Sequence, residues 1–210
     1  MTLIGLDWRL DVATPPATTP VALDATLYRH LRLDASGSPL SHVDDDLIEA
    51  ELAAARDQCE QVETGRTLIT TTYDLWLSDW PCGRTIDIPR PPLQSVTSIT
   101  YLDGTSEQTL STDAYRVHTP SGPTAMPGQI ELKPANDWPT LGDDRWPVVI
   151  RFIAGYGATP ADVPFGIRSW IMLLVGTMYA NRDSEIVGTI RSDMKFADRL
   201  LDPFRLYSVF

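Results

Sequence analysis

Apolar and polar residues change their spacing along this chain, and each change predicts an element. Leu23, Leu27 and Leu31 recur every four positions, which predicts a short helix with one apolar stripe. Ala35-Ser36-Gly37-Ser38-Pro39 ends it in a loop. Ile48, Leu52, Ala55, Cys59 and Val62 then follow at spacings of four and three, giving a second helix with one buried face. Glu49, Arg56, Asp57, Glu60 and Glu63 lie largely off that face. Asp46 is placed to cap this helix, with Glu49 three residues on as in a capping box. Asp44 and Asp45 add negative charge near the positive helix end, and Gly65 is the C-terminal stop.

From Thr70 the period becomes two. Tyr73, Leu75 and Leu77 share one side of a strand that ends at Leu77. Further strand signals cover Ile86–Ile88, Val96–Leu102, Tyr115–Val117, Gln129–Leu132 and Val148–Ile153, with turn residues between them. Arg90-Pro91-Pro92 makes a stiff corner, because neither proline has a backbone N–H and each disfavours helix in the residue before it. Short connections between successive strands favour an antiparallel sheet.

Helix returns at Asp162-Val163-Pro164. Ile167, Ile171, Leu174 and Met178 mark one face, and Trp170, Leu173 and Val175 widen it into a largely buried helix that ends at Asn181-Arg182-Asp183. A last helix is expected from about Asp193, carrying Ala197, Leu200 and Leu201 as far as Pro203. At the other end, Pro15, Pro16 and Pro20 with several threonines make Met1–Pro20 read as an arm without a packed element.

Composition narrows the class. Of 210 residues 43% are hydrophobic and 21% charged, ordinary for a globular protein. The net charge of −11 and the absence of a basic cluster argue against sequence-specific DNA binding, which needs cations to neutralise phosphates. Cys59 and Cys82 form no C-x-x-C pair, and the start MTLIGLDWRLDV lacks a basic region and a long apolar core, so a reducing compartment is expected. The apolar run Trp170–Val175 is far short of the roughly 20 residues that span a bilayer.

The chemistry-bearing residues form no active-site constellation, so no enzyme, metal or cofactor is expected. Asp44-Asp45-Asp46 lacks the glycine and distant glutamate of a calcium loop and reads as helix capping. His30, His42 and His118 have no paired-ligand spacing. Cys59 falls on an apolar face as an inert thiol, and Cys82 sits in a Pro-Cys-Gly turn. Gly155-Tyr156-Gly157 follows a strand but has neither G-x-G-x-x-G nor G-K-[ST], so it reads as a turn. Trp76, Trp80, Trp138, Trp146 and Trp170 leave two readings open, packing or the face of a carbohydrate-binding or adhesion module.

In their order, the stretches ALDATLYRHLRLD, DDDLIEAELAAARDQCEQVETGR, IPRPPLQSVTSITYLDG, VVIRFIAGYG and VPFGIRSWIMLLVGTMYANRD resemble the head–tail connector (adaptor, or head-completion) proteins of long-tailed phages, prophages and gene transfer agents. The likeness runs from Val21 to about Asp183. The longer N-terminal arm and the segment from Ser121 to Trp146 depart from the pattern, and no roles carry over to them.

The resemblance implies an α+β fold, a small bundle of about four helices with an antiparallel β-rich insertion between the second and third. The corresponding divisions are 1–20 as arm, 21–66 with 160–203 as bundle, 67–159 as insertion and 204–210 as tail. It implies a structural ring of about twelve copies under the portal vertex, extending the DNA channel and carrying the next neck (stopper) or tail-completion protein. The place is the virion's head–tail junction, reached from the host cytoplasm during assembly. Genome DNA passes through without sequence-specific contact, and no membrane is involved. The tail Phe204, Arg205, Leu206, Tyr207, Ser208, Val209 and Phe210, with five apolar residues in seven, is the expected portal-binding segment; folding back on its own helices is the other reading.

Overall fold

The computed structural model describes residues 6–104, 106–181, 197 and 199–206. It is an α+β chain that divides into two compact units, Met1–Ala17 with Thr70–Tyr156, and Thr18–Ile69 with Gly157–Phe210.

The first unit is built from antiparallel strands. Strands β1 (Trp8–Thr14), β2 (Thr71–Leu77), β8 (Val148–Ala154), β4 (Leu93–Asp103) and β5 (Ser106–Thr109) make one sheet in that spatial order. Strands β3 (Thr85–Ile88), β7 (Gly128–Leu132) and β6 (Tyr115–His118) make a second. Burial alternates strictly along β2, so its odd-numbered residues face the core while Thr72, Asp74 and Trp76 face outward. One hydrophobic cluster takes Leu75, Ile99 and Ile150 from the larger sheet and Ile86, Ile88 and Ile130 from the smaller. Tyr73 and Phe152 stack within it at 5.4 Å. The backbone of β7 closes on β4: a Cβ at Gly128 would lie 2.2 Å from a Leu93 methyl.

The arm expected at the N-terminus is corrected here. Trp8–Thr14 is a strand, in register with β2 from Trp8 opposite Leu77 to Thr14 opposite Thr72, with one irregularity between Val12 and Thr14. Leu6 and Leu10 pack against the core. The prolines at 15, 16 and 20 end this strand rather than preventing it. Strand β5 also lacks an apolar signal in the sequence, since all four of its residues are exposed.

The second unit holds α1 (Ala25–Leu31), α2 (Asp45–Gln58) and α3 (Phe165–Ala180). Asp24 caps α1, accepting from the N–H groups of Thr26 and Leu27 at 2.8 and 3.1 Å. Ile48, Leu52 and Ala55 of α2 and Ile167, Ile171 and Val175 of α3 are buried, and the two helices pack together. Leu174 and Met178 are half-buried. The helix expected from Asp193 lies almost wholly outside the described residues; Ala197 and Leu201 are buried.

Two expectations for α2 fail locally. The helix begins at Asp45, so Asp46 is not its cap; Asp44 holds the cap position without a side-chain bond to the helix. After Gln58 the backbone changes to a π-helix, Cys59–Thr64, closed by Gly65 at φ +70°. Each π bond spans one more residue than an α bond, which rotates the stripe. Cys59 stays buried, but Val62 is turned out to 75% exposure.

Candidate docking surface

Phe204 is the last residue of a 3-10 turn over Asp202–Phe204 and is buried. Its N–H donates to the Leu201 carbonyl at 2.8 Å, and its own carbonyl accepts from Arg66 Nε at 2.5 Å. Arg66 is 1% exposed, and a buried guanidinium needs such acceptors. The Phe204 ring lies over Gly166 of α3, where a Cβ would approach it to 3.1 Å. Arg205 Nη2 donates to Glu63 at 2.7 Å. The Leu206 N–H donates to the Thr64 carbonyl at 3.3 Å, and its side chain sits against Gly65. Three of the seven tail residues are therefore fixed on their own unit, Arg205 and Leu206 along the π-helix and Phe204 on Arg66 and Gly166. Tyr207, Ser208, Val209 and Phe210 lie outside the described residues.

Two residues of the acidic triplet accept from tyrosines. Tyr28 O–H donates to Asp45 at 2.7 Å, and Tyr179 O–H makes a short bond to Asp44. Asp45 also accepts from the His42 N–H at 3.0 Å. Burial, and then the Asp45 carboxylate, pushes the Tyr28 hydroxyl up to about 12. These bonds tie α1 and α3 to the start of α2. Capping proper occurs instead at Thr159 and Asp162, a reciprocal box that holds the Asp162 carboxyl below its ordinary range.

The other candidates are dispersed. His30 Nε2 donates to the Met172 carbonyl at 2.9 Å, and His118 meets Glu131 at 2.9 Å in the other unit. Cys59 is fully buried and burial pushes its thiol up to about 12, so it is no nucleophile near neutral pH. Cys82 is exposed. Gly155 takes φ +126°, and Asp162 fills the space beside Gly157, leaving a turn without a phosphate cradle. Among the described residues no three His, Cys, Asp or Glu side chains come together as a metal site.

Five of the six tryptophans divide into three kinds, and the sixth, Trp8, is 46% exposed. Trp80 and Trp138 stack on each other at 4.6 Å and 10°, and their indole N–H groups donate to the Pro139 and Gly83 carbonyls. Trp170 is in the core of the helical unit. Trp76 and Trp146 face guanidinium groups: Arg9 lies 5.0 Å from the Trp76 ring centre and 5.9 Å from that of Trp146, and Arg145 lies 5.4 Å from Trp146. Trp80, Trp138 and Trp170 are thus taken up in packing, while Trp76 and Trp146 are half-buried beside cations. The Arg9 contacts were missed in the sequence although Trp8-Arg9-Leu10-Asp11-Val12 alternates apolar and charged residues, which is a strand signal.

With this geometry in place, comparison with solved structures is informative. A chain in the neck of an empty GTA particle, computed with C6 symmetry, superposes at TM-score 0.77 with 22% identity, covering 96% of this chain and 97% of that one. The fold is that of a neck chain. A chain of the virion of a native gene transfer agent (GTA) particle matches at TM-score 0.74 and 23% identity, and one from the native neck with C12 symmetry at 0.62 and 22%, both over the same shares of the chains. No family model matches the sequence and no curated protein does. The likeness runs end to end, so it takes in both units.

Proposed function

We propose that this chain is a structural head–tail connector of a phage-like or gene-transfer-agent particle, assembled as a ring of about twelve copies beneath the portal. The carrying observation is the whole-length fold match to chains of a GTA neck computed with C6 and C12 symmetry. In this reading the helical unit, with a fourth helix from about Asp193, is the bundle, and residues 67–159 are its β-rich insertion. The ring extends the DNA channel and carries the next neck protein. It is no enzyme.

The charge supports a conduit. At −11, the chain repels phosphates, and α2 exposes Asp46, Glu49 and Asp57, so DNA slides past with few contacts. Tight, salt-sensitive duplex binding by the purified protein contradicts this. The adhesion reading loses support, because Trp80, Trp138 and Trp170 are taken up in packing.

The portal-binding segment is the tail. Phe204, Arg205 and Leu206 form its anchored base, and Tyr207, Ser208, Val209 and Phe210 reach the portal. Removal of Tyr207–Phe210 spares the Glu63 and Thr64 contacts of the base, whereas removal from Arg205 destroys both and confounds docking with folding. The four-residue truncation is expected to leave the fold intact and yield particles that lose DNA or fail to join tails. Normal joining by the truncated protein moves the docking surface elsewhere, with Met1–Pro20 the next candidate. The overall reading is tested by imaging particles with and without this chain. A collar at the head–tail junction supports it, and no copy there refutes it.

A further inference from the structure

The five-stranded sheet has β1 and β5 as its two edges, both in one compact unit and both unpaired on their outer side among the described residues. The ladders show which backbone groups are free. The Ser78 N–H donates to the Asp7 carbonyl at 3.0 Å, which makes that pair a bonded one beside Trp8 and Leu77. Bonded and non-bonded pairs alternate in an antiparallel ladder. Arg9 and Asp11 therefore bond Trp76 and Asp74, while the N–H and carbonyl groups of Trp8, Leu10 and Val12 point away from β2. At the other edge the Leu110 N–H donates to the Ile99 carbonyl at 2.8 Å. By the same alternation Gln108 bonds Tyr101, and the backbone groups of Glu107 and Thr109 point away from β4.

The β1 edge also leaves the core open. The side chains of Trp8, Leu10 and Val12 lie on the core face, opposite Leu77, Leu75 and Tyr73. Leu10 packs against the core, but Trp8 is 46% and Val12 57% exposed. Neither Trp8–Val12 nor Ser106–Thr109 contains a proline or a lysine to discourage further pairing. The irregularity after Val12, and then Pro15, end the usable edge at a length that the four residues of β5 match.

We propose that β5 of one copy adds to β1 of the next, joining the sheets of neighbouring copies along the ring. This rests on reading the chain as ring-forming, in which one surface of each copy meets a different surface of its neighbour. Strand direction and pleat single out this partner. All four ladders between β1 and β5 are antiparallel, so the two edges run the same way. Rotation about a ring axis does not turn the sheet over, so β5 enters beside β1 in parallel, core face next to core face. In a parallel pair a residue bonds the two neighbours of the residue it faces, so the free groups of the two strands must belong to opposite faces. They do: Leu10 is on the core face, and Glu107 and Thr109 are on the outer one. With Leu10 facing Gln108, its N–H donates to the Glu107 carbonyl and its carbonyl accepts from the Thr109 N–H. Trp8 accepts from the Glu107 N–H, and Val12 donates to the Thr109 carbonyl. These four bonds use every free backbone group of Glu107 and Thr109, and Ser106 and Gln108 extend the core face beyond Trp8 and Leu10. Twelve copies turn the sheet by about 30° each, spread over five strands, a gentler bend than that of a barrel closed by roughly eight. Pairing of β1 with a second β1 closes a two-fold dimer and leaves β5 bare.

Proline tests the seam, because at an edge it removes an N–H that no strand of its own copy uses. Val12→Pro and Thr109→Pro in the full chain are each expected to leave the melting midpoint nearly unmoved and to lower incorporation at the neck at least tenfold. Gln108→Pro, one position away, breaks a bond to Tyr101 and is expected to lower the melting midpoint itself. In a Cys82→Ser background, which leaves buried Cys59, Asp11→Cys and Thr109→Cys face each other on the outer side of the seam. Oxidation of assembled particles carrying both is expected to give a ladder of covalent multimers, and either change alone none. Should a proline variant melt early, the cysteine pair decides. A covalent dimer from Asp11→Cys alone assigns the edge to β1–β1 pairing, and a link from it to another particle protein assigns it to that protein; either result overturns the proposal. Wild-type incorporation of both proline variants without a ladder overturns the seam and leaves the ring standing. Absence of any wild-type ring in the particle overturns the ring reading, and this proposal with it.

Discussion

Leu52 and Val62 sit on the same stripe in the sequence, ten residues apart, yet the structure assigns them opposite environments. Leu52 is 1% exposed against α3, and Val62 is 75% exposed on the π-helix. Leu52→Ala removes buried methyl groups and leaves a cavity between two packed helices, a loss of about 2–5 kcal/mol. Val62→Asp places a carboxylate on a position that already faces water, and changes of that kind stay within about 0.5 kcal/mol. Had the α-helix continued, the same aspartate would be buried without a partner and would cost several times more. Urea unfolding of the isolated chain followed at 222 nm separates the cases, because the slope is about 1–3 kcal/mol per molar for small proteins. Leu52→Ala is expected to lower the midpoint by about 1–2.5 M at a slope near 2 kcal/mol per molar. Val62→Asp is expected to leave it unmoved. A loss above about 2 kcal/mol for Val62→Asp refutes the π-helical register.

Three further outcomes are expected. Gly157→Ala puts a Cβ 2.4 Å from the Asp162 carboxyl, so the Thr159–Asp162 box opens and stability falls by about 1–3 kcal/mol in a thermal melt. In the native protein at pH 8 a thiol reagent modifies Cys82 alone, and Cys59 reacts only on denaturation; because the folded thiol keeps its proton from the ordinary 9.0 up to about 12 while the unfolded one loses it, its contribution to stability declines as pH rises through that window. The Asp162 carboxyl, depressed by its bonds from Thr159, titrates by NMR below an ordinary aspartate, so its contribution is present above the unfolded value and lost as pH falls through the folded one.

Much of the fold was legible because burial imposes a period. Six strands and three helices were readable from alternating or 3.6-residue spacing, down to the buried odd-numbered residues of β2 and the Ile48–Leu52–Ala55 face of α2. Losses came where a local interaction outweighed the pattern. Trp8–Thr14 was masked by the prolines that follow it, although a proline after the last paired residue is where a strand is expected to stop. Strand β5 has no buried residue and is held by pairing with β4 alone, which leaves no mark on hydrophobicity. The cap of α2 was misplaced because three consecutive aspartates are equivalent in sequence. Only the tyrosines of α1 and α3, far away in the chain, decide which carboxylates are occupied.

The surfaces were harder to read than the core, and the reason is physical. A catalytic site needs particular groups at particular spacings, so its absence is visible in a sequence. A docking surface needs ordinary residues to remain uncovered, and the sequence reports what a residue is, not what lies above it. Val43, Ile48 and Val62 are all aliphatic and all adjoin the same helix, yet their exposures are 91%, zero and 75%. Rigid fixation of an uncovered aliphatic side chain is the informative combination. Exposure alone costs a folded chain little, but the bonds from the loop that presents Val43 to α2 and α3 restrict the freedom that would let it fold inward. A surface prepared in this way binds with less ordering to be done on contact.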